Sequence, residues 1–197
     1  NYNSKIRVSK KDIIKSIKNL DKKVKKSIDL SYERIFKYHS NQKTNNFTYK
    51  DKLGNKFEYK YIPIEKVGIY VPGGTASYPS TVLMNAIPAI LAKVKKIIMA
   101  TPFMNGKLNP GVIYAANKCG IKDIYSIGGA QAVAALAYGT NKVEKVNKVI
   151  GPGNIYVTAA KKEIFGDVGI DMLAGPSEIT VVADKNSNPN WIAADLI

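Results

Sequence analysis

With 197 residues, 45% of them hydrophobic, the chain can bury a real core as one large domain or two small ones, which excludes a disordered polymer. No apolar run approaches the roughly 20 residues that span a bilayer, no secretory signal follows Asn1–Lys5, and the one cysteine, Cys119, excludes an internal disulfide framework and fits a reducing compartment. The formal charge of +15 invites a nucleic-acid reading, but the densest cluster, Lys22, Lys23, Lys25 and Lys26, is flanked by Asp21 and Asp29 on an amphipathic pattern, as expected of a solvated helix face.

Ser9 followed by Asp12 is a capping-box variant, and Ile13, Ile14, Ile17 and Leu20 then line one helical face. Asp21 caps a second helix whose stripe is Val24, Ile28, Tyr32, Ile35 and Phe36. Polar residues 40–46 make a loop. Phe47–Tyr49 and Phe57–Ile64 alternate apolar and polar residues around Leu53-Gly54-Asn55, a hairpin pattern. From Val67 the texture changes to strands at 67–71, 95–100, 122–127, 146–150 and 178–183, separated by helices at about 79–93, 110–118, 130–138 and 154–165. Such alternation predicts a parallel sheet covered on both faces. Pro88 falls inside a helical pattern and predicts a kink or a late start. Asn109-Pro110 and Asn188-Pro189 each pair an N-cap with a first-turn proline. The last helix stops while still apolar and the chain lacks an initiator methionine, so a fragment of a longer protein is expected.

Three glycine turns follow apolar runs and precede helices: Val71-Pro72-Gly73-Gly74, Ile127-Gly128-Gly129-Ala130-Gln131 and Ile150-Gly151-Pro152-Gly153-Asn154. One alone would only shape a strand-to-helix turn; several in one sheet point to a nucleotide or small-anion site at the strand C-termini. No Gly-x-Gly-x-x-Gly fingerprint is present. Gln131 and Asn154 could read a ribose or a carboxamide, or cap their helices. Tyr70 could stack on a base or pack. Ala174-Gly175-Pro176-Ser177-Glu178 can present a hydroxyl and a carboxylate but is not a nucleophile elbow. His39 has no partner at ligand spacing, Cys119 reads as a buried inert thiol, and no cluster offers the ligands a zinc needs. By these residues alone the chain has binding surfaces and no evident catalytic engine.

The stretches Val67–Ala76, Ser80–Ala89, Gly128–Ala132, Gly151–Asn154 and Asp171–Glu178, with Tyr32-Glu33-Arg34-Ile35 and His39, closely resemble the histidinol dehydrogenases over nearly the whole chain. The resemblance implies an α/β, aldehyde-dehydrogenase-like fold built of incomplete Rossmann-like parallel sheet units, preceded by an N-terminal helical and hairpin segment. It implies a cytoplasmic, zinc-dependent homodimer that oxidises L-histidinol to L-histidinal and then to L-histidine with NAD+, the last steps of histidine biosynthesis, and no nucleic-acid or membrane partner. The family's NAD contacts match Tyr70, Gln131 and Asn154, and a substrate contact matches Ser177. Residues 1–66 and 177–197 are expected to share one domain and 67–176 to form the NAD-binding one. In the family, a Ser-Gln-Ala-Glu-His segment with zinc ligands follows the match to Ala193-Ala194-Asp195-Leu196, and a Glu-His catalytic pair comes later. The present chain stops at Ile197, so no catalytic or metal residue is expected in it and it is expected to be inactive alone. A relative acting on another small alcohol, or a basic polyanion-binding module, are the alternatives.

Overall fold

The computed structural model describes residues 6–42, 44–73, 77–103, 108–173 and 179–196. Two helices open the chain, α1 (Lys10–Lys18) and α2 (Lys22–Ser40). The Ser9 hydroxyl accepts the Asp12 amide at 3.1 Å, and the Asp21 carboxylate accepts the amides of Lys23 and Val24. A hairpin of β1 (Phe47–Lys50) and β2 (Lys56–Tyr59) follows, turned by Asp51, whose carboxylate accepts the Leu53 and Asn55 amides at 2.9 Å. Its second strand ends at Tyr59, short of Ile64. The rings of Phe47 and Tyr59 stack with centroids 5.5 Å apart.

The sheet comes next: β3 (Lys66–Tyr70), α3 (Pro79–Leu91), β4 (Lys96–Ala100), α4 (Pro110–Lys118), β5 (Asp123–Tyr125), α5 (Ala130–Tyr138), β6 (Lys148–Ile150), α6 (Ile155–Ile164) and β7 (Gly169–Ile170), before a terminal helix α7 (Pro189–Leu196). All five sheet strands are parallel, in the order β5-β4-β3-β6-β7. α3 begins at Pro79 and runs on through Pro88 to Leu91, so it does not start late.

Alternation along β3 divides the interior. Val67, Ile69 and Val71 enter one core with α3, α4 and the inner faces of α1 and α2, including Ile13 and Ile28. Tyr70 enters the other core, with Ile98, Ala100, Val149 and the apolar faces of α5 and α6. The Tyr114 hydroxyl donates to Asp29 at 3.0 Å and Lys118 pairs with Asp29 at 2.9 Å, which ties α2 to α4.

The expected strand at 178–183 is not observed. Residues 179–183 are irregular, Glu178 lies outside the described residues, and Val182 is 95% exposed. The β-branched run Ile179-Thr180-Val181-Val182 has strand propensity, but propensity without a neighbouring strand forms no ladder. The edge position belongs instead to β7. Trp191, on α7, is 73% exposed.

The N-terminal edge of the sheet carries a charge network. Glu144 accepts Lys66 at 2.7 Å and also pairs with Lys96; Lys96 reaches Asp123 at 3.4 Å, and Arg7 pairs with Asp123. Bonds from Lys66 and Lys96 hold the Glu144 carboxyl at about 2, well below its ordinary value of 4.5. A depressed folded-state value contributes stability above the ordinary carboxylate range, and that contribution disappears as pH falls through about 2. Denaturant unfolding across this window will therefore show an acid limb of falling stability that Glu144→Gln flattens. Added salt will shrink the difference between the two chains, because the network is solvent-facing.

Candidate functional site

All five parallel strands point their C-terminal ends to one edge. The chain moves outward from β3 through β4 to β5, then returns to lay β6 on the other side of β3. The turns leaving β3 and β6 therefore lead to opposite directions of the sheet, which makes the β3–β6 boundary the topological switch point, the position where open α/β sheets bind ligands.

Tyr70 is the last residue of β3 and is 4% exposed. Its ring is packed in the α5–α6 core, and its hydroxyl accepts the Gly129 amide at 3.0 Å. Gly129, with φ +73°, is the N-cap of α5, so Tyr70 fixes where that helix begins. Among the described residues no side chain caps α5; the Ala132 amide bonds the Gly129 carbonyl at 3.1 Å, which leaves the backbone amides of Ala130 and Gln131 for another acceptor. Gln131 is exposed on this turn, with its amide folded back beside Gly129. Asn154 is the N-cap of α6, and its Oδ1 accepts the Val157 amide at 3.1 Å, so the capping role is realised. The start of α5 and the turn that leads into α6 both touch Tyr70: Gly129 on its hydroxyl and Gly151 against its carbonyl. The β4 exit joins them, since a Cβ on Gly73 or Gly128 would lie 2.6 or 2.7 Å from the Pro102 ring. Ser177 and Gly74 lie outside the described residues.

Gly151 is the tightest point. Its φ is +114°, and a Cβ there would overlap the Tyr70 carbonyl oxygen. Its amide donates to Asp171 Oδ2 at 2.8 Å, and its carbonyl accepts Lys161 Nζ at 3.0 Å. Lys161 also pairs with the other Asp171 oxygen, and it is 4% exposed. Lys161 belongs to no motif, and Asp171 is the first residue of the Asp171–Glu178 stretch, where nothing marks it as a partner of Gly151. The available signal is spacing: Lys161 shares the inward stripe of α6 with Val157 and Ile164, where a lysine is out of place.

From Gln131 an open groove of about 470 Å³ runs between α5 and α6, lined by Ala134, Tyr138, Tyr156, Glu163 and Ile164. The edge suits a nucleotide: it offers an uncapped helix start, two side-chain amides and close-packed glycine turns. Zinc is different. Among the described residues no group of three or more His, Cys, Asp or Glu side chains could hold a metal. His39 sits on the last turn of α2 with Nδ1 2.5 Å from Gln42 Oε1. Cys119 is buried, and desolvation pushes its thiol up to about 12.

Two outcomes follow. Gly151→Ala will destabilise the fold by at least about 2 kcal/mol in denaturant titration, because it adds backbone strain to a steric overlap. At pH 8 the Cys119 thiol will resist iodoacetamide in the folded chain and react rapidly once the chain is denatured, as mass spectrometry will show.

A family model described as histidinol dehydrogenase matches residues 1–197. The chain is 66% identical over 198 residues to the histidinol dehydrogenase of Pelagibacter ubique (strain HTCC1062), covering 100% of this chain and 46% of that protein. It is 50% identical over 192 residues to that of Agrobacterium fabrum (strain C58 / ATCC 33970), covering 98% and 44%. The crystal structure of histidinol dehydrogenase from Elizabethkingia anophelis superimposes with a TM-score of 0.88 at 44% identity, over 98% of this chain and 45% of that one. The chain thus spans less than half the length of these relatives. With its parallel sheet, its glycine-turn edge and a match that runs from Asn1 to Ile197, the chain belongs to the histidinol dehydrogenase family, a family of oxidoreductases.

Proposed function

We propose that this chain is the nucleotide-seating part of an NAD-dependent dehydrogenase that converts L-histidinol through L-histidinal to L-histidine, as a cytoplasmic homodimer. The observation that carries the reading is that the α5 start and the turn into α6 both pack on Tyr70, at the point where the strand order reverses. The names of the relatives supply the substrate.

NAD+ is the hydride acceptor when bound. The alcohol step removes one hydride and one proton from the carbinol. The aldehyde step adds water and removes a second hydride and proton, so a seat must empty and refill between them. Tyr70 holds the start of α5 in place, Gln131 offers an amide that both donates and accepts, and the amides of Ala130 and Gln131 would hold the anionic part of the nucleotide. Asn154 keeps the start of α6 formed beside it. Ser177 is assigned to the substrate. Residues 67–176 form the nucleotide-binding domain in this reading, with 1–66 and 177–197 assigned to a second.

Alcohol oxidation also needs a base for the hydroxyl proton. The one histidine, His39, belongs to α2 and not to the strand ends. The resemblance assigns the base and the zinc ligands to the part of the longer relatives that lies beyond the match. Residues 1–197 incubated with L-histidinol, zinc and NAD+ will produce no NADH above background, while binding NAD+ measurably by calorimetry. Clear turnover would sink the division of labour, and absence of NAD+ binding would sink the seat.

A further inference from the structure

We infer that Lys161 and Asp171 are positioning residues of the nucleotide seat, acting together as a clasp on Gly151. The inference rests on the nucleotide reading above and goes beyond it to residues that touch no ligand.

The observation that demands an account is a lysine at 4% exposure. A buried ammonium is costly unless it is paired and hydrogen-bonded, and an aliphatic side chain on the same stripe as Val157 and Ile164 would pack without that cost. The charge is placed where it does something an aliphatic chain cannot. Nζ donates to the Gly151 carbonyl and pairs with Asp171, and the same carboxylate accepts the Gly151 amide. Both polar groups of one residue are thereby turned into the fold, and its Cα lies against the Tyr70 carbonyl. Three elements converge on Gly151: the middle of α6, the exit of β7 and the exit of β3. The β5–α5 turn has a simpler anchor, the hydroxyl of Tyr70.

With Gly151 immobilised this way, Pro152, Gly153 and Asn154 remain on the outward side of the turn, and the start of α6 is set at a fixed height over β3. The clasp acts through Asn154 and the α6 amides, so its loss should weaken nucleotide binding while leaving the fold intact.

The test uses the 197-residue chain. The double variant Lys161→Met/Asp171→Asn removes both charges together and keeps an acceptor for the Gly151 amide, so it is built to fold. A control, Lys118→Met/Asp29→Asn, removes the ion pair between α2 and α4. The clasp variant should retain the circular dichroism of the parent, show faster amide hydrogen exchange at Gly151 and Val157, and raise the Kd for NAD+ about tenfold. The control should leave the Kd unchanged. Should the double variant not fold, Lys161→Met alone replaces it with the same expectation, since it removes the buried charge and leaves the more exposed Asp171 carboxylate on the Gly151 amide. A folded clasp variant with parental affinity, or a control that weakens NAD+ equally, overturns the inference and leaves the nucleotide reading standing. A parent chain that binds no NAD+ overturns both.

Discussion

At Gly151 only a hydrogen fits between the exit of β6 and the carbonyl of Tyr70, and the architecture of the edge depends on that approach. β3 and β6 are sequence-distant neighbours paired in the middle of the sheet. Their exits must separate, because the chain winds one way from β3 and the other way from β6. A side chain at Gly151 would push the α6 turn away from Tyr70, whose hydroxyl in turn sets the start of α5. The start of α5 and the turn into α6 are thus both referenced to a single tyrosine. Backbone contact fixes one and a phenolic oxygen fixes the other.

Much of this was legible in the sequence, and the reasons are local. α4 and α5 match the expected spans 110–118 and 130–138 because Asn109-Pro110 opens one and Gly129 and Gly139 bound the other. The caps at Ser9, Asp21, Asn109 and Asn154 all bond as their residue types suggest. The misses are of two kinds. β7 is Gly169-Ile170, too short to leave a periodic trace, whereas the Ile179–Val182 run has the composition of a strand and no partner. Lys161 and Asp171 meet only because β7 lies next to β6, a fact of topology that no spacing rule conveys.

The candidate site divides the same way. Position was readable: Tyr70, Gln131 and Asn154 all lie on the C-terminal edge, where glycine turns after strands put them. What each side chain does there was open between two readings. Tyr70 is packed and serves as an anchor, and Asn154 caps its helix. These roles are compatible with a ligand at the crevice, since a rigid first turn is a better donor of backbone amides than a frayed one. The family match covers every residue of the chain and less than half of each of these relatives, so the matched region is one part of a longer chain in those proteins.

The chain has a single tryptophan, and it sits on α7, largely in water, apart from both cores that flank the sheet. Indole emission is set by the surroundings of the ring. A fluorescence melt of this chain would follow the fraying of its last helix while the parallel sheet came apart unseen. Of the twelve tyrosines, Tyr70 and Tyr125 are buried against α5 and α6, so replacing one of them with tryptophan in a chain lacking Trp191 would open an optical window onto the sheet itself.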